Sequence, residues 1–324
     1  MASSSSTQPP AEETRNWLEL PRDVTAMILH KLGAIEILTS AQKVCMTWRM
    51  ICKDPAMWRT IDMHNLGDDG DMDYDLEKMA RHAIDRSCGQ LVDINIEYFG
   101  TDELVQYIIE RTSQLRCLRL ICCLCISSYG LCEAAKGLPL LEELHMYLCH
   151  DVPKEALEAF GRCCPLLKSF SLNNIGWRSK VIEIEFDDEA LVVAGNMPEL
   201  RNLKLFGNRM TNVGLQAILD GCPHLESLDL RQCFNVDLEG DLAKGLYKKI
   251  KYLQLPNDST EAYEFGAQFY DADSFGDESP SELYDSSDYD CSCEIDGDSD
   301  FDYDDFTKIP GGSNFSDFEE PFLS

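Results

Sequence analysis

The residues best equipped for chemistry in this chain are its fifteen cysteines and six histidines. A Cys-x-x-Cys stands at Cys122–Cys125. That spacing holds zinc when a second such pair, or a Cys/His pair, follows at finger distance. None follows here, so the cysteines read as small buried hydrophobes and no metal is expected. His145, Cys149 and His150 lie close in sequence, but the local pattern puts them on a strand and its exit turn. The other histidines, at 30, 64, 82 and 224, are scattered. There is no nucleophile elbow, no glycine-rich phosphate loop and no H-E-x-x-H. The Asp-rich run CEIDGDSDFDYDD invites a calcium test. With Gly297 at the sixth loop position, Ser292 falls first and Tyr303 twelfth, where an EF-hand needs Asp and Glu. The run fails. Ser274, Ser279, Ser299 and Ser316 each have an acidic residue three positions on, which suits an acidophilic kinase and is common by chance. The expectation is a protein that is not an enzyme and takes no cofactor.

Charge narrows the partners. The chain has 324 residues, enough for two domains or one with tails, and carries 58 acidic against 28 basic side chains, a net −30. Residues 257–324 hold 21 of the acidic residues and one lysine, leaving 37 acidic and 27 basic in residues 1–256. A body at −10 lacks the basic face that neutralises phosphates, so nucleic acid is not expected as a partner. The acidic segment has too little aliphatic content to fold alone and reads as a disordered tail. MASSSSTQPPAEE has neither the basic start nor the apolar core of a secretory signal. No run approaches 18 consecutive apolar residues, so no membrane is expected either. The expected compartment is the cytoplasm and/or the nucleus, where thiols stay reduced.

These residues sit on a repeating frame. From Leu91 the chain repeats LVDINI (91), LRCLRL (115), LEELHM (141), LKSFSL (167), LRNLKL (200), LESLDL (225) and IKYLQL (250), at spacings of 24, 26, 26, 33, 25 and 25 residues. Each start fits L-x-x-L-x-L, the strand of a leucine-rich repeat. Helical patterns such as EALEAFGRCCP and GLQAILDGCP lie between the starts. One unit cannot bury its apolar face alone, so about seven units must stack over residues 91–256. Leu118/Leu120, Leu144/Met146 and Leu228/Leu230 are then core. The 33-residue spacing marks an insertion, 178–188, whose alternation of Val181, Ile182, Ile184 and Phe186 suits an extra surface strand. Cys123, Cys149 and Cys233 each stand eight residues after the first leucine of their repeat, while Cys163, Cys164 and Cys222 precede turns. The non-core strand positions form the candidate recognition surface. Arg119, His145, Tyr147, Lys204, Phe206 and Arg231 stand out, because aromatic and arginine side chains anchor protein interfaces. Tyr147 and Phe206 are expected to project to solvent.

Ahead of the repeats lies a short helical module. Pro21 can open a helix, Asp23 suits its positive end, and Val24, Met27, Ile28 and Leu32 form one stripe before Gly33. A second stretch puts Val44, Cys45, Trp48 and Ile51 on one face, and Asp54-Pro55 stops it. Some forty residues make a small core, so the stripe packs either on the rest of the chain or on a partner. Between module and repeats, Leu76, Met79, Ala80, Ala83 and Ile84 mark an amphipathic helix that would cap the first repeat.

This module resembles the F-box. Leu20-Pro21, Ile28-Leu29, Leu32, Ile37-Leu38, Val44-Cys45, Trp48-Arg49, Asp54-Pro55 and Trp58 stand at the family's spacing, with Asp23-Val24 in place of the usual glutamate-leucine. The cysteine-bearing repeats are similar to those of plant F-box/LRR proteins. The resemblance implies an α/β chain: a disordered leader (1–15), a three-helix F-box (16–62), a loop and linking helix (63–90), a curved repeat solenoid (91–256) and the acidic tail (257–324). It implies a substrate receptor of an SCF ubiquitin ligase, binding a Skp-type adaptor and through it a cullin-RING ligase, with an unidentified protein substrate on the repeats. By the same analogy Leu20, Pro21, Ile28, Leu29, Val44, Cys45 and Trp48 enter or support the adaptor interface, and Trp58 packs the module's own end. The alternative is a repeat scaffold not assembled into a ligase.

Overall fold

A computed structural model of the chain describes residues 20–65, 74–149, 152–173, 177–178, 187–261, 263 and 270–271. The leader, His150, the alternating residues 181–186 and nearly all of the acidic segment lie outside the described residues, as does the EF-hand-like run.

Each L-x-x-L-x-L start becomes a short strand. Its alternation sends two residues inward per strand, and the amphipathic helix that follows covers them. The strands are β1 (Thr60–Met63), β2 (Asp93–Glu97), β3 (Cys117–Ile121), β4 (Glu143–Tyr147), β5 (Ser169–Asn173), β6 (Trp177–Arg178), β7 (Asn202–Phe206), β8 (Ser227–Asp229), β9 (Tyr252–Gln254) and β10 (Tyr270–Asp271). Eight of them form one sheet in the order β1-β2-β3-β4-β5-β7-β8-β9, every pair parallel. The two-residue strands β6 and β10 pair with each other. Ile94, Ile96, Leu118, Leu120, Leu144, Met146, Phe170, Leu172, Leu203, Leu205, Leu228 and Leu230 make the buried ridge between sheet and helices. Each such side chain contributes roughly 1.5–3 kcal/mol by leaving water.

The sheet begins one strand earlier than the repeat spacing announces. Ile61 and Met63 of β1 are fully buried, and Thr60 pairs with Asp93. The linking helix α5 (Leu76–Arg86) packs behind β1 and beside the next repeat's helix α6 (Asp102–Arg111), so it belongs to a repeat of its own.

Cysteines stitch neighbouring repeats together. The Cys123 Sγ–H donates to the Ile96 carbonyl (3.5 Å), that of Cys149 to Leu120 (3.6 Å) and that of Cys233 to Leu205 (2.8 Å). Behind the helices, Cys164 donates to Ala135 and Cys222 to Met197. Each thiol adds a donor to a carbonyl of the preceding repeat; the Leu205 and Met197 carbonyls also accept from the Asn208 and Leu200 N–H groups. All thirteen described cysteines are free thiols. Strand exits share a second device: Tyr98, Cys122 and Leu148 take positive φ (74°, 52° and 54°), and Gly207 does the same at 70°.

In the N-terminal module, α1 (Arg22–Leu29) starts at Pro21. Gly33, at φ 79°, turns the chain into a second run: α2 (Gly33–Glu36), a π-helical stretch (Ile37–Ala41) and α3 (Gln42–Val44). Cys45 is extended and starts α4 (Met46–Cys52), its sulfur accepting from the Trp48 N–H. The run Arg22–Val44 is apolar and long enough to cross a bilayer by length and composition alone. Here the turn at Gly33 interrupts it, and Leu29, Ile37 and Leu38 are core.

Candidate functional site

Two surfaces emerge, one on the helical module and one on the helix-free face of the sheet. On the module, α1 and α4 pack together and the Arg22 guanidinium bonds Asp54 at 2.7 Å. Trp58 is buried and its indole N–H donates to the Cys52 carbonyl, so it closes the module's own end. Arg86 of α5 lies over the Trp58 ring and donates to Gln42, tying module to repeats. With that core filled, large apolar side chains remain outside: Met27, Val44, Met46 and Met50 are 62–72% exposed, and Val24 and Leu32 about 40%. Of the residues expected at an adaptor interface, Pro21 and Val44 are exposed, while Leu20, Ile28, Cys45 and Trp48 are half-buried. Leu29 is fully buried and can only support the surface from within. Three exposed methionines were not singled out in that set. Their flexible thioethers suit an adaptable contact surface.

The sheet face is ordered by register. One row runs Asp93, Cys117, Glu143, Ser169, Asn202, Ser227 and Tyr252; the next runs Asn95, Arg119, His145, Ser171, Lys204, Asp229 and Gln254. Tyr147, Asn173 and Phe206 share a third. Arg119 forks onto Asp93 at 2.7 and 3.2 Å. His145 bonds Ser171 at 2.8 Å, and burial, followed by the Arg119 and Lys204 charges, lowers its pKa against the pull of Glu143. At the first strands, Glu97 is buried among Asn95, His64 and the Asp62–Asn95 bond.

The aromatic anchors do not behave as their strand positions suggest. Tyr147 is 6% exposed, and Phe206 is wholly buried. The chain beyond β9 turns back, and the Tyr263 ring stacks on Phe206 with centroids 3.8 Å apart. Arg231 forks onto Asp229, reaches the Ser259 carbonyl and lies 4.8 Å over Tyr263. Ser259 and Tyr263 thus pack on this face, where Tyr263 covers Phe206, while Asn202, Lys204, Tyr252 and Gln254 stay exposed. Arg119 and Lys204 stay accessible, and His145 is nearly buried.

A parallel sheet in which strand and helix alternate at 24–33 residues, led by a three-helix module with an uncovered apolar surface, defines the class: an F-box joined to a leucine-rich-repeat solenoid. The F-box-like family profile matches residues 17–64. The chain is 51% identical over 324 residues to F-box protein SKIP19 of Arabidopsis thaliana, covering 99% of each chain. It is 49% identical over 275 residues to the Arabidopsis protein described as F-box/LRR-repeat protein 23, covering 81% of this chain and 60% of that one. F-box protein FBW2 of the same plant is a more distant relative, 28% identical over 241 residues, 74% of this chain and 75% of its own length. The chain belongs to the plant F-box/LRR-repeat family.

Proposed function

We propose that this chain is the substrate-recognition subunit of an SCF-type, cullin-RING ubiquitin ligase. The module binds a Skp-type adaptor, and the helix-free face of the repeats binds the target protein around Arg119, His145 and Lys204. The chain holds no catalytic residue of its own; its contribution is to convert a bimolecular encounter into a positioned one. The observation that carries this reading is the set of large apolar side chains left exposed on a module whose core is already filled. A monomer gains nothing from such a surface, whereas a partner helix gains its burial.

The test uses the full chain with a purified Skp-type adaptor. Val44→Asp and Met46→Asp place a charge in the buried centre of the interface. Each should weaken binding by about 30-fold or more, the 2 kcal/mol of an interface hot spot. Melting temperature should hardly move, since both side chains are exposed in the free chain. Wild-type adaptor affinity in both variants would refute the assignment.

A further inference from the structure

Sequence spacing pointed away from a metal, because the Cys122–Cys125 pair has no complement. The sheet makes a different cluster that spacing along the chain does not reveal. Cys117 of β3 and Glu143 of β4 are register partners, and His145 lies two residues on, on the same face. Cys117 and His145 are buried, while Glu143 is at the surface. The His145 Nε2 stands 3.4 Å from a Glu143 carboxylate oxygen, and the Cys117 Sγ stands 3.9 Å from the same oxygen. All three donor atoms lie within 4.8 Å of one another. Ligands at the usual zinc distances, about 2.0–2.3 Å, lie roughly 3.3–3.8 Å apart around a tetrahedron. The two separations to Glu143 are at or near that range, and the third, between the Cys117 sulfur and His145 Nε2, is within 4.8 Å, so closing on an ion takes a movement of about 1 Å or less between those two side chains.

The surroundings fit a cation. His145 Nδ1 is held by the buried Ser171 hydroxyl at 2.8 Å, which leaves Nε2 for a metal and sets the ring's orientation. A bound divalent ion takes the Cys117 sulfur as thiolate, the proton passing to solvent, and its charge compensates Glu143 and the thiolate together. The neighbouring cation Arg119 is turned onto Asp93. From this geometry we infer that Cys117, Glu143 and His145 form a site for one zinc-class divalent cation on the helix-free face of the sheet. The three protein ligands leave a fourth position open to solvent. Water fills it in the free chain, and a histidine, cysteine or carboxylate of a docked protein fills it in a complex.

The experiment strips the full chain of metal, then titrates zinc against a chromophoric chelator and cobalt(II) against its absorption spectrum. One equivalent should bind, and cobalt should give a thiolate charge-transfer band with the intense visible bands of a tetrahedral site. Cys117→Ser should abolish the charge-transfer band. His145→Asn and Glu143→Gln should each weaken zinc binding by at least about 10-fold. Glu143→Gln is the variant safest for folding, because that side chain is exposed. Absence of stoichiometric zinc, wild-type affinity in Glu143→Gln, or a charge-transfer band that survives Cys117→Ser and disappears in Cys125→Ser would each overturn the site.

Discussion

Phe206 offers the sharpest test of how this fold ends. By strand position it lies on the face turned away from the helices, where truncation usually changes stability by no more than about 0.5 kcal/mol. The structure instead buries it completely beneath Tyr263, with Arg231 5.8 Å from its ring. Phe206→Ala should therefore cost about 3–5 kcal/mol, the range for a fully buried phenylalanine that leaves a cavity. Stacking on Tyr263 should account for about 0.5–1.5 kcal/mol of this beyond area burial. A double-mutant cycle with Tyr263→Ala isolates that share, since the two rings touch. The assay is equilibrium urea unfolding followed by circular dichroism on the four proteins. Because a solenoid end can fray separately, hydrogen exchange of β7 to β9 should accompany it. A Phe206→Ala cost under about 1 kcal/mol, or a coupling of zero, would show that the segment after β9 does not cover this face.

Further outcomes follow from the thiols and the strand exits. Burial pushes Cys149 and Cys222 up to about 11 and Cys164 to about 12 from an ordinary 9.0. The folded chain keeps these protons where the unfolded chain has lost them. Stability should thus be whole below about pH 9, fall as pH rises and level off past 11–12, which a pH series of urea midpoints measures. Cys233→Val should cost about 0.5–1.5 kcal/mol by removing one of the two donors to the Leu205 carbonyl, which keeps the Asn208 N–H, whereas Cys233→Ser, which can still donate, should cost less; the opposite order in thermal melts would remove the thiol ladder. Cys122 sits at φ 52°, so Cys122→Gly should raise stability by up to about 1 kcal/mol and the β-branched Cys122→Val should lower it by about 1–2 kcal/mol.

What the sequence made legible was whatever repeats. Leucine periodicity located β2 to β5 and β7 to β9, and its alternation picked the core pairs such as Leu118/Leu120. β1 escaped because Thr60–Met63 carries only two apolar residues and no leucine three positions before them, and because it follows directly on a module with a pattern of its own. The exposed methionines escaped for a related reason. Periodicity shows that α1 and α4 each have an apolar stripe, but which side the pair buries depends on how they pack. Tyr263 comes from a stretch dominated by carboxylates, so its stacking on Phe206 had no local signal. Cys117 lies 26 residues from Glu143 and 28 from His145, and only the register brings its sulfur to their donor atoms.

β1 also sets a length scale. The helical module runs straight into the first strand of the sheet, and Arg86 grips it from the first helix behind that strand, so a hinge between the two has nowhere to form. On the receptor reading, the solenoid then works as a ruler anchored at the adaptor. Neighbouring strands are about 4.8 Å apart, so a target held at β7 rather than β3 is displaced by roughly 14 Å, three strand steps, relative to the ligase. Which of a target's lysines come within reach would depend on the repeat that binds it as much as on the chemistry of the contact. A chain of this family could change that choice by moving its contact residues one strand along, with the adaptor surface left untouched.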